Sequence, residues 1–170
     1  MAFALLAASP LAAADRFRAI QPRVAGAPGG DMIRISVSIN DYTSADEARL
    51  LQQAAGRGGS AVLDALRRMN HGSVSVAGAG RTVIYAAHAS ASSTGRHILI
   101  VCSLSQAIEA PAGVDMTDAV QIIELQVDGN GRGDGRLIDA AAVRLDGQGF
   151  VEIDRQLTVP KLLVEVRPDK

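Results

Sequence analysis

The chain has 170 residues, of which 48% are hydrophobic and 21% charged, enough for one domain to bury a substantial core. Its 17 Lys plus Arg against 18 Asp plus Glu leave a formal net charge of -1, which supplies no overall basic field for nucleic acid or anionic lipid. Aromatic residues make up only 3%, with no Trp, so the usual stacking platforms for bases and many sugars are missing.

The opening run MAFALLAASPLAAA carries no charge and ends in Ala12, Ala13 and Ala14 directly before Asp15 and Arg16. That is the pattern of a secretory apolar region with an Ala-x-Ala-like cleavage site, although the usual basic flank is absent. Residues 1–14 are therefore read as a signal peptide and 15–170 as a single domain, periplasmic or secreted. No later stretch approaches the roughly 20 apolar residues of a membrane span.

DRFRAI suits a short first strand, and the Pro- and Gly-rich run Gln21 to Gly30 a loop. In MIRISVSI the apolar Ile33, Ile35, Val37 and Ile39 alternate with Arg34, Ser36 and Ser38, the period of a half-buried strand. Thr43 or Ser44 followed by Asp46 and Glu47 signals a helix start, and that helix is expected to run to about Ala55. After the break at Gly56 to Gly59, Ser60 can cap a second helix with Val62, Leu63, Leu66 and Met69 at helical spacing and Arg67 and Arg68 in its last turn. From Gly72 onward, short apolar runs separated by Gly, Ser, Asp and Asn predict strands near 73–77, 82–88, 97–103, 119–127, 136–145, 150–154 and 162–166. Most connections are too short for parallel crossovers, so the strands are antiparallel and the last four form a meander. The longer stretch LSQAIEAPAGVDMTDA suits an irregular loop or one helical turn.

DGNGRGDG, Asp128 to Gly135, is the most conspicuous motif. As a calcium loop it would place Arg132 and Arg136 at ligand positions, where a guanidinium repels the cation. As an Arg-Gly-Asp motif it is three residues long and composed of ordinary turn formers. A hairpin tip is the better reading, and Asp146-Gly147-Gln148-Gly149 repeats its design.

Few residues advertise chemistry. Cys102 lies in the apolar run HILIVCSL and reads as a small core hydrophobe, with no second cysteine for a disulfide. His71 follows the second helix and reads as a terminal or turn residue. His88 and His97 flank ASASSTGR and could face each other across a hairpin, where Cys102 or Asp41 would complete a metal or nucleophile site, but their spacing matches no zinc pattern. No Gly-x-Ser-x-Gly elbow or Ser-x-x-Lys pair occurs. Glu124, within VQIIELQV, is either a solvent-face carboxylate or a carboxyl inside a barrel, and Asp139 poses the same alternative.

The signal ending before DRFRAI, the run IRISVSINDYTSADEARLL, AVLDALRRM, the Tyr85-Ala86 pair and IIELQVDGNGRGDGRL resemble a group of small exported bacterial proteins of unknown function, found in acidobacterial-type genomes. The resemblance spans most of the mature chain and implies an exported α+β architecture without naming an activity. Aromatics often present in that group near Ser73 to Arg81 and Leu104 to Ala110 are missing here.

The expected fold is α+β: an antiparallel sheet of about seven or eight strands, curved or barrel-like, with the Ser44 to Met69 helix pair inserted after an early strand and covering one face or opening. The expected function is non-catalytic binding of a small apolar ligand or a protein partner, which requires an apolar cavity between sheet and helices. The rival readings are an exported metal-assisted or hydrolase-like enzyme using His88, His97 and a nearby carboxylate, and a structural envelope component. No cofactor, nucleic acid partner or membrane span of the mature chain is expected.

Overall fold

A computed structural model describes residues 14–23, 32–104 and 116–169. The expected signal segment up to residue 13 and most of the 104–119 connection lie outside these residues. The elements in chain order are β1 (Asp15–Pro22), β2 (Met32–Ile39), α1 (Ala45–Ala55), α2 (Gly59–Leu66), β3 (Gly72–Val76), β4 (Gly80–Ser92), β5 (Gly95–Cys102), β6 (Val120–Val127), β7 (Gly133–Leu145), β8 (Val151–Gln156) and β9 (Lys161–Pro168).

Every pairing is antiparallel, in the order β6-β5-β4-β3-β2-β1-β9-β7, and β7 returns to β6 to close a barrel of 8 strands. Closure leaves no free edge within the barrel. β8 lies outside it. β7 is long enough to change partners, with Gly133 to Leu137 set between β6 and β9 and Ala141 to Leu145 paired with β8. The last four strands are therefore not the expected simple meander. β9 skips β8 and inserts between β7 and β1, because Leu157 to Pro160 carry the chain from the outer strand back to the wall.

The alternation in β2 places Ile35, Val37 and Ile39 inside the barrel beside Phe17, Val74, Ile84, Ile98, Ile100, Ile123, Leu125 and Leu163. An interior of this strand number is just wide enough to be filled by side chains. β5 explains why HILIVC has no visible period: Ile98, Ile100 and Cys102 point inward, while Leu99 and Val101 point outward into a second apolar layer. That outer layer joins Leu51 of α1 and Leu63 and Leu66 of α2 to Ala86, Ile122, Ile138 and Val151. The helix pair thus covers an outer face of the barrel.

α1 begins with a reciprocal cap. The Glu47 amide donates to Ser44 Oγ at 3.3 Å, and the Glu47 carboxylate accepts from the Ser44 amide at 2.8 Å. α2 departs from expectation at both ends. Ser60 lies within the helix, Gly58 stands at its cap without a side-chain bond, and Arg67 already serves as the C-cap, so the final turn of helix reaching Met69 does not form. One mouth of the barrel is bridged by polar groups: Asp15 accepts from the Tyr42 hydroxyl at 2.6 Å and from Arg96 at 2.9 Å. Burial, then the neighbouring Asp15 carboxylate, raises the Tyr42 phenol above its ordinary range.

Candidate functional site

The two glycine turns have the same construction. In the β6–β7 turn the Asp128 carboxylate accepts from the amides of Asn130 at 2.8 Å and Arg132 at 2.9 Å, and Gly131 takes φ 74°. In the β7–β8 turn Asp146 accepts from Gln148 at 2.8 Å and Phe150 at 2.9 Å, with Gly149 at φ 91°. The Arg132 and Asn130 amides hold the Asp128 carboxyl below its ordinary range. Strands flank the DGNGRGDG loop on both sides, and backbone donors satisfy its leading carboxylate.

These turns set the geometry of the candidate residues. The first hairpin places Val127 opposite Gly133, and three residues outward on each strand Glu124 falls opposite Arg136. Glu124 shares the outer face with Val120 and Ile122, which resolves the parity question. Its carboxylate is largely buried and is held by the Arg136 guanidinium on one side and by His97 Nε2 at 3.3 Å on the other. The second hairpin folds β8 over this face. Phe150 stacks on His88 with ring centroids 4.1 Å apart, and Gln52 of α1 donates to the Gly147 carbonyl at 3.1 Å.

Of the four residues singled out in the sequence, His88, His97 and Glu124 lie on one outer face. His88 stands opposite Leu99 and His97 opposite Ser90, so the two histidines are diagonal neighbours on adjacent strands. Burial lowers the His88 imidazole from its ordinary value and the nearby His97 adds to this, against an opposing pull from Asp146. Asp139 forms a separate ion pair with Lys161 at the start of β9. Cys102 is enclosed in the barrel interior, where burial pushes its thiol up to about 12, and so does not share the face of the histidines. Asp41 is likewise engaged elsewhere: its carboxylate accepts from His71 Nδ1 at 2.7 Å. His71 lies in the connection between α2 and β3, as its position after the second helix implied, but it is buried, with Glu47 3.5 Å from its Nε2.

An open polar groove of about 620 Å³ runs between the wall residues His97, Leu99, Glu124 and Arg136 and the β8 segment Glu152 to Gln156. Ser90, directly across from His97, makes no hydrogen bond to it, so the pair lacks the contact that would activate a hydroxyl. Among the described residues no group of three or more His, Cys, Asp or Glu side chains could hold a metal ion. A second groove, about 390 Å³, lies where α2 meets the far end of β7. Its lining is mostly apolar, with Ala55, Val62 and Leu63 on the helical side and Ala142, Val143 and Leu145 on the strand, and with Asp118 and Arg144 as charged groups.

Arg136 entered the sequence reading only as an obstacle to calcium, and its pairing with Glu124 was missed although the turn that sets it was legible. Comparison of the chain with protein-family models, with curated proteins and with solved structures finds no match.

Proposed function

We propose that this chain is an exported, non-catalytic protein that binds a small apolar ligand outside its barrel, in the groove between α2 and β7. The observation that carries this reading is the apolar lining of Val62, Leu63, Ala142, Val143 and Leu145 around about 390 Å³. That volume falls within the range of roughly 300–1,000 Å³ typical of small-molecule sites. Aliphatic side chains fill the barrel interior, which directs a ligand to the outer surface. Titration with the apolar fluorophore N-phenyl-1-naphthylamine is expected to give saturable enhancement. Val143→Arg, which drives a cation into the groove, is expected to weaken it by about tenfold or more. Unsaturable enhancement, or saturable binding that Val143→Arg leaves intact, would count against the site.

A second reading is supported by the His97–Glu124 contact beside the polar groove. There His97 would act as a general base oriented by Glu124 on a polar substrate. Hydrolysis of an activated ester that is lost in both His97→Gln and Glu124→Gln proteins would favour it over simple binding.

A further inference from the structure

The formal net charge of -1 is an average over the whole molecule, and the fold does not distribute charge evenly. The outer layer of apolar residues draws on the helices and β4 to β8 and takes none from β1, β2, β3 or β9. The outward side of those strands carries Ile20, Met32 and Val164 beside its polar residues, and the charge among those polar residues is one-sided. Pairing registers align Arg167 of β9 with Arg18 of β1, Arg18 with Ser36 of β2, Ser36 with Ser75 of β3, and Ser75 with Arg81 of β4. At the usual interstrand spacing of about 4.8 Å, this row is roughly 19 Å long. Arg16 and Arg34 flank it on β1 and β2, and all of these residues are exposed.

The carboxylates on this face are Glu165, 3.3 Å from Arg167, and Asp169, 3.8 Å from Arg18. The guanidinium groups of Arg16, Arg34 and Arg81 have no ion-pair partner among the described residues. Near the centre, Arg18, Arg34, Ser36 and Arg167 border a groove of about 440 Å³ together with Ile20, Glu165 and Asp169, so three arginines face two carboxylates there. Every cation on the face is arginine, whose planar fork binds carboxylate and sulfate oxygens in pairs, and the serine hydroxyls can donate to or accept from sugar hydroxyls.

We propose that this arginine–serine face is a docking surface for a linear anionic polysaccharide bearing carboxylate or sulfate groups. A row of charges and hydroxyls crossing several strands matches an extended chain with repeating anionic and hydroxyl groups. The row contains no aromatic side chain on which bases or sugar rings could stack, so recognition of the polysaccharide rests on its anionic and hydroxyl groups. The convex wall of a barrel also presents only a narrow strip to a flat bilayer.

The full chain is titrated with heparin, a sulfated polysaccharide, over a series of salt concentrations. Binding is expected to weaken as salt rises. The Arg34→Glu/Arg81→Glu double variant is expected to lose about tenfold or more in affinity, while Arg49→Glu/Arg68→Glu, the same change in charge at exposed positions away from this face, stays within about twofold of the parent. Arg34→Gln/Arg81→Gln, which removes the two charges without reversing them, is expected to show an intermediate loss. Unaltered thermal midpoints confirm that the variants fold. The proposal is overturned by absence of heparin binding at low salt, by equal losses in the two charge-reversed variants, or by tighter binding of duplex DNA or phosphatidylglycerol vesicles than of the polysaccharide.

Discussion

His88 and Tyr42 show how local surroundings turn ordinary side chains into parts of the fold. The pKa of the His88 imidazole is lowered in the folded chain, so between about 6.5 and the lowered value the unfolded chain binds more protons. Its contribution to stability is therefore complete above about pH 6.5 and is lost as pH falls through that window. His88→Phe keeps a ring against Phe150 and removes the titration, so urea unfolding across pH 5 to 7.5 is expected to show a shallower decline than the parent. Tyr42→Phe removes the hydroxyl that Asp15 accepts from at 2.6 Å and is expected to cost about 1–2 kcal/mol in urea unfolding at pH 7. The candidate site was partly legible at this scale. His97 and Glu124 stood out as polar residues in apolar strands, and they do meet. The burial of His71 was not legible, because it depends on Asp41 and Glu47 arriving from a strand end and a helix start far earlier in the chain.

Among the elements, the β7–β8 hairpin does most to shape the outer surface, since it lays β8 over the histidine face and rests its turn on α1. Gly149 makes this possible. It takes φ 91°, and a Cβ there would lie 2.4 Å from the Ala48 carbonyl of α1. Gly149→Ala is therefore expected to cost about 2 kcal/mol or more, from left-handed strain and the clash combined. Gly147→Ala in the same turn, with nothing within 4 Å, is expected to stay within about 0.5 kcal/mol, and thermal or urea unfolding compares the two. Local patterns foretold most elements well. The alternation in MIRISVSI and the Ser44 to Glu47 cap describe β2 and the start of α1 as found. Ser60 misled because a good capping residue competes with the chain geometry around it, and Gly58, at φ 115°, turns the chain into the helix before Ser60 is reached. The order of the last strands was hidden as well. Nothing within β7 announces that its two halves serve different partners.

For the molecule as a whole, barrel closure divides its surroundings into a filled interior and an outer surface with unlike faces. Helices and β8 cover one side, which leaves the apolar groove beside α2 and the polar groove beside Glu124, and arginine and serine line the other. A curved or barrel-like antiparallel sheet was foreseeable from strand spacing and short connections, but the strand order that closes it was not, because the contact between β6, β7 and β9 joins segments with no shared local pattern. Composition sums likewise conceal charge that the fold sorts by face. The division makes a direct demand on any apolar ligand: it must bind outside the barrel. Methyl-resolved NMR of protein labelled at Ile, Leu and Val, titrated with N-phenyl-1-naphthylamine, reads both compartments at once. Shift changes are expected at Val62, Leu63, Val143 and Leu145, with the interior methyls of Ile35, Ile98, Ile100 and Ile123 unmoved. Saturable shifts centred on those interior isoleucines would contradict the filled barrel and the external site together.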